Sequence, residues 1–275
     1  MAVVDFIEQL LNGVTLGMVY VLLAAGLSVI FGVMDVINFP HGELFALGGY
    51  FALSIVTPLG GEVGFWVALV VAPILVAVIG MAIERFTVRP LYGRNPLYHI
   101  LLTFGLVLII NDLIRLAWGP EQQQLVVPSY LSQPFGVLGI RLSVYSYFMI
   151  VFGTVLAAGT WLLLTRTKYG MIIRAGSQDR EMVRNLGIDI DRYYTLVFGF
   201  GAALAAIGGI ILGGAQNVNP GMGNSVIIPA FVIVVLGGLG SFRGAVFGGL
   251  LVGIVQVLMR TYSGTVLADV GGVSL

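Results

Sequence analysis

Between residues 9 and 33 no side chain is charged, and a run of that length can cross about 30 Å of hydrocarbon. A chain holding such a run must bury it in a large globule or place it in a membrane. The rest of the sequence decides between them. Hydrophobic residues make up 58% of the chain, charged residues only 9%, and mean hydropathy is +1.02, which leaves too little polar surface for a water-soluble globule. The fold class expected is an all-α integral membrane protein. Zero net charge and scattered basic residues argue against nucleic acid as a partner. The absence of cysteine excludes disulfides, thiolate metal sites and cysteine nucleophiles. Asp5 and Glu8 precede the first apolar run, where a cleavable signal peptide would carry positive charge.

Polar breaks divide the chain into a polytopic bundle of about eight transmembrane segments within one transmembrane domain, residues 1–275. Apolar segments follow at 36–58, 63–83, 97–118, 144–164 and 194–214. Two further segments, 226–240 and 244–259, are shorter than the usual span and interrupted by glycine. Such broken helices are tolerated at membrane depth only where the irregular backbone lines a cavity or is buried in protein. Residues 84–95 read as a polar loop, and 119–143, with prolines and alternating stretches, read as a short external hairpin.

Residues 165–193 differ from all the rest. Arg166, Lys168, Arg174, Arg180, Arg184 and Arg192 lie here with Asp179, Glu181, Asp189 and Asp191, a density of charge that belongs in water. The middle reads as a short helix capped by Ser177, with acids in its first turn and Gly187 at its end. Met182, Val183 and Leu186 are expected on one face, and so short a helix needs that face covered. The residues alone leave open a partner protein, the chain's own bundle, or lipid headgroups as the cover. Arg85, Arg89 and Arg94 enrich loop 84–95 in the same way, whereas Arg141 stands alone in 119–143. The positive-inside rule then places both rich loops in the cytoplasm and the N-terminus outside.

A few polar groups interrupt the apolar segments. Asp112 and Arg115, spaced by three, can neutralise each other on one helix face, and with Asn111 they are expected to face the bundle interior near the outer leaflet. Asn38, His41 and Glu43 open the second segment. Residues two apart do not share a helix face, and no third ligand lies nearby, so neither a metal site nor a catalytic pair is expected. Their expected task is to hydrogen-bond loop backbone and set the helix entrance, with a place at a gate as the alternative. Gly237, Gly238 and Gly240, close to Arg243, are expected to form a flexible element lining the path.

Three stretches carry a family resemblance: LLNGVTLGMVYVLLAAGLSVIFGVMDVINFPHGELFALGGYFA from Leu10, RAGSQDREMVRNLGI from Arg174, and AFVIVVLGGLGSFRGAVFGGLLVG from Ala230. In that order they resemble the permease subunits of branched-chain amino-acid ABC importers. The resemblance implies a cytoplasmic coupling helix that docks on ABC ATPase subunits, with Glu181, Met182, Val183 and Gly187 in the coupling pattern and Arg174, Asp179, Arg180, Leu186 and Ile188 around them. It also implies a homologous second permease forming a heterodimer, an external solute-binding protein, an inner-membrane location and no cofactor. ATP would be hydrolysed elsewhere, since the chain has no glycine-lysine phosphate loop and its only lysine is Lys168. The sequence departs from the family pattern at its end, where TYSGTVLADVGGVSL from Thr261 adds no further span. A stand-alone channel or an ion-coupled carrier for a small solute is the competing function.

Overall fold

The computed structural model describes residues 2–137 and 140–271. Ten α-helices account for most of them: α1 (Ala2–Met34), α2 (His41–Leu59), α3 (Gly61–Ile83), α4 (Pro96–Trp118), α5 (Val144–Arg166), α6 (Lys168–Gln178), α7 (Arg180–Asn185), α8 (Ile190–Gln216), α9 (Met222–Gly237) and α10 (Phe242–Gly271). Strands β1 (Pro134–Val137) and β2 (Ile140–Ser143) pair antiparallel in the expected hairpin. Among the described residues, seven helices are long and apolar enough to cross a membrane, and α9 is a shorter apolar helix.

Helices α1, α2 and α8 form the interior, while α3, α4, α5 and α10 leave most of their surface bare. A bundle in water could not show such a perimeter; in lipid it is the expected solution, since helices that are apolar all round are stable only when surrounded by apolar matter. Inside the bundle, small residues let backbones approach closely, as in other membrane helix pairs.

Contacts sort the helix ends into two sets. At one end Glu8 accepts a hydrogen bond from Arg141 N, Glu62 accepts from Ser129, Gln123 pairs with Val218, and Thr261 donates to Gln9. At the other end Met34 meets Tyr92, and Glu84 meets Thr195. Gly32 there backs directly on Gly240. Alternating passages satisfy both sets, so the chain order expected from hydropathy closes without a mismatch.

Two boundaries differ from the sequence reading. Residues 84–91 are no loop: α3 continues through a π turn (Glu84–Val88) and a 3-10 turn (Arg89–Leu91). Glu84 is fully buried there, paired with Arg89 at 3.0 Å and accepting from Tyr92 OH at 2.9 Å and Thr195 Oγ1 at 2.7 Å. Polar partners from three segments make an acid look solvated in sequence yet hold it inside the fold. The second difference is α10, which runs on through the final polar stretch to Gly271 instead of stopping near residue 259. Glu84→Ala is expected to lower the melting temperature of the purified protein by several degrees. It removes the ion pair to Arg89 and one hydrogen bond from each of the half-buried Tyr92 and Thr195 hydroxyls, a net loss of about 1 kcal/mol per bond; thermal scanning in detergent reads the shift, and Glu84→Gln should recover part of it.

Candidate functional site

The first site lies where α1 gives way to α2. Residues 35–40 are non-helical, Asp35 adopts a left-handed φ of 53°, and Pro40 starts α2 with no side-chain cap. After the exposed Asp35 the stretch turns inward: Val36 and Asn38 are each 1% exposed, with Ile37 and Phe39 half-buried. His41 Nε2 lies 3.1 Å from Leu23 O, a residue eleven positions inside the end of α1, about 17 Å by helical rise. His41 also lies against the contact between Gly26 of α1 and Gly201 of α8, and Gly201 sits equally deep from the start of α8. Thus α2 begins near the middle of the bundle, and the chain reaches that point as irregular backbone buried in protein.

Helix α9 begins beside it. A Cβ on Gly223 would stand 2.6 Å from Gly42 O and 3.0 Å from Glu43 Oε1, so only glycine lets the first turns of α2 and α9 meet. Asn111 of α4 joins them, donating through Nδ2 to Pro220 O at 2.9 Å and to Glu43 Oε2 at 3.4 Å. Two helix starts, each with a positive dipole end, therefore converge on one carboxyl group within the bundle. Both side-chain polar atoms of Asn38, His41 Nδ1, Glu43 Oε1 and Tyr50 OH are buried without a partner. Unpaired polar atoms at such depth are costly and are retained mainly where a solute must pass.

Sequence reasoning had Asn38, His41 and Glu43 bonding loop backbone; the structure corrects this. His41 reaches α1, Glu43 reaches α4, and Asn38 reaches nothing. Asn111 faces the interior as expected, but Asp112, turned about 100° from it, and Arg115, in the last turn of α4, are exposed and form no ion pair among the described residues. Spacing of three placed them near each other, yet Asn111 and Ile114, buried on the adjacent stripe, take the inward face. Gly237, Gly238 and Gly240 form the tight link between α9 and α10, with Gly238 and Gly240 at φ of 90° and 79°. Gly237 backs on Gly244 and Gly240 on Gly32, away from the polar cluster. Among the described residues no group of acids and histidines has the makings of a metal site.

The second site is the charged stretch. It folds as two helices, and the cap of α7 is Asp179, whose Oδ1 accepts from Met182 N at 2.9 Å; Ser177, expected to cap, donates to Arg174 O within α6. Gly187 ends the turn at φ of 79°, as its position implied. The shared face of Met182, Val183 and Leu186 is split. Residues 182 and 186 stand one turn apart and are 57% and 71% exposed, while Val183, rotated by about 100°, is buried in the chain's own core. Glu181 and Gly187 are exposed beside the pair, Ile188 is half-buried, and Arg174 donates to Leu164 O.

Arg180 fastens α7 to the bundle. It pairs with Asp191 Oδ1 at 2.5 Å, and its guanidinium carbon lies 4.9 Å from the Tyr92 ring and 5.0 Å from the Tyr194 ring. Burial and the neighbouring Glu84 carboxylate push the Tyr92 phenol well above its ordinary range, so it stays a hydrogen-bond donor. Sequence reasoning missed Tyr92, Tyr194 and Asp191 as parts of this clamp; a tyrosine next to an arginine-rich loop was the one available signal.

A helical membrane bundle whose helices break at its centre around buried polar side chains, with a charged pair of short helices at one end, has the architecture of a transport permease. The chain belongs to the family described as branched-chain amino acid transport system, permease component, whose model matches residues 9–271. It is 31% identical over 277 residues to the high-affinity branched-chain amino acid transport system permease protein BraD of Pseudomonas aeruginosa, covering 96% of this chain and 90% of that one. Identity to the permease protein LivH of Escherichia coli K12 is 32% over 279 residues, 96% of this chain and 89% of LivH. LivM of the same organism is 25% identical, over 94% of this chain and 65% of its own length. A solved chain of PsaBC from Streptococcus pneumoniae aligns with 98% of this chain and 88% of its own, at 13% identity and a TM-score of 0.48.

Proposed function

We propose that this chain is the membrane subunit of an ATP-driven importer that moves branched-chain or closely related amino acids across the inner membrane. ATP is hydrolysed by separate subunits that receive α7. The observation that carries this is the exposed Met182 and Leu186 pair, with Glu181 beside it, held rigidly by Arg180 at the arginine-rich end of the bundle. Two apolar anchors one turn apart on a helix, rimmed by charge, suit recognition by a groove in another protein. Basic residues at that end make it cytoplasmic, which leaves the N-terminus and the 119–143 hairpin outside.

The hairpin side supplies the surface for a solute-binding protein. A second permease completes the assembly, and LivH and LivM, both named as permease proteins of the E. coli high-affinity branched-chain amino acid system, are both similar to this chain. Asn38, His41, Glu43 and Asn111 lie on the route, closed in this conformation. Arg174, Asp179 and Arg180 position the docking helix.

Reconstitution tests the reading. Proteoliposomes holding this chain with its ATPase, second permease and binding protein are expected to accumulate leucine only with ATP. Leucine flux through liposomes holding this chain alone would favour the channel or carrier reading instead.

A further inference from the structure

We infer that the chain holds an anionic phospholipid beside α6, with the headgroup phosphate between Arg174 and Arg243 and an acyl chain in the apolar crevice that adjoins them. The inference goes beyond the transport reading and needs only that the bundle lies in a membrane.

A cavity of about 250 Å³ opens where α1, α5, α6 and the link between α9 and α10 come together. Three of these elements end or begin there: Gly32 and Val33 sit in the last turn of α1, Thr165 is next to last in α5, and Phe242 opens α10. The cavity therefore stands at the level of the helix ends, where headgroups meet a bilayer-spanning bundle. Its charged lining is Arg174 and Arg243, with no carboxylate. Both arginines are exposed, and neither is ion-paired among the described residues. Arg174 is fixed at the rim by its hydrogen bond to Leu164 O. Two guanidinium groups on one acid-free cavity favour an anion, and their planar forks match phosphate oxygens.

The adjoining crevice makes that anion a lipid. Val29, Leu164 and Ile173 line the first cavity and also a second, of about 270 Å³, completed by Tyr169, Leu196 and Phe200 among others. No charged residue lines this second cavity. Leu196 and Phe200 stand about 9 and 15 Å along α8 from its start at Ile190, so the crevice descends from the headgroup level to the depth of acyl chains. Tyr169 and Leu196 are exposed, which leaves it open to the surrounding lipid. A soluble phosphate compound would engage the arginines and leave the crevice empty. A zwitterionic lipid would fill the crevice and gain less from the two positive charges. An anionic phospholipid matches both halves, and basic pockets between membrane helices are a known way to hold such headgroups.

Native mass spectrometry of the full chain in detergent, incubated with phosphatidylglycerol or with phosphatidylcholine of identical acyl chains, tests the site. Phosphatidylglycerol adducts are expected to exceed phosphatidylcholine adducts by about fivefold or more, and Arg243→Gln should lower them by about fivefold. Arg94→Gln removes an exposed charge from the same end of the bundle, outside the cavity, and should leave them unchanged. Leu196→Trp, which fills the crevice, should lower the phosphatidylglycerol adducts as well. Glycerol 3-phosphate should leave no adduct under the same conditions. Equal retention of the two lipids would overturn the site, as would equal losses in Arg243→Gln and Arg94→Gln. Full retention in Leu196→Trp, or a glycerol 3-phosphate adduct as abundant as the lipid one, would overturn the lipid and give the arginines a soluble phosphate. The headgroup comparison on the unaltered chain needs no variant, and melting temperatures of the lipid-free variants report whether each is folded.

Discussion

The double variant Met182→Asp, Leu186→Asp is expected to lose ATP-driven uptake almost entirely, to a tenth or less, while folding and inserting normally. The two side chains are among the most exposed apolar groups of the charged stretch, and neither packs in the chain's own core. Buried anchors at the centre of an interface are each worth about 2 kcal/mol or more, so removing both weakens the ATPase contact by roughly a thousandfold. Co-purification of ATPase with the tagged chain measures the loss directly, and Leu186→Met should retain it. Val183→Asp makes the informative contrast: buried at 3% exposure, it should reduce the yield of folded protein instead of uncoupling a folded one. Full retention of ATPase by the double variant would remove α7 as the docking element.

Glu43→Gln is expected to lower uptake tenfold or more with the bundle intact. The replacement keeps the shape and an oxygen for the Asn111 hydrogen bond, so the entrance of α2 should hold. What it removes is the acidic group whose Oε1 has no protein partner and is left for a passing solute; a hydrogen bond from the solute to a charged group is worth about 1.5–3 kcal/mol, or roughly ten- to a hundredfold. Glu43→Ala adds a small void and should cost yield as well as activity. Uptake at the wild-type level in the Gln variant would make Glu43 a packing element and take the polar cluster off the route. Measuring ATPase stimulation alongside uptake separates a blocked path from a broken assembly.

The spans themselves were legible in the sequence because apolar runs of the required length admit few alternatives, and the hairpin announced itself through Pro134 and the alternation that follows. Depth was not legible. Asn38, His41 and Glu43 stand near the start of an apolar segment, where an aqueous entrance is the natural reading; only the contacts of His41 with Leu23, and of Gly42 with Gly223, carry that start to the middle of the bundle. Those contacts join residues far apart in the chain, and no local pattern encodes them. Glu84 misled for the opposite reason, since an acid followed by arginines reads as a loop until Tyr92 and Thr195 are seen to enclose it. On α7 the competition between Ser177 and Asp179 for the cap turned on one helical boundary, which is the least legible feature of any sequence. The inward turn of Asn111 and outward turn of Asp112 were a matter of about 100° of rotation, settled by packing of Ile110 and Ile114.

The ring of Tyr92 touches more than the guanidinium above it. Its hydroxyl lies 2.9 Å from Glu84 and 3.3 Å from Met34 Sδ, the last helical residue before the irregular stretch that leads to Asn38. A tilt of α7 must therefore drag this phenol along or peel away from it, and dragging it tugs on the root of the irregular segment that leads to Asn38. One aromatic side chain thus ties the short charged helices to the root of the irregular stretch, with Arg180 on its face and Met34 at its hydroxyl.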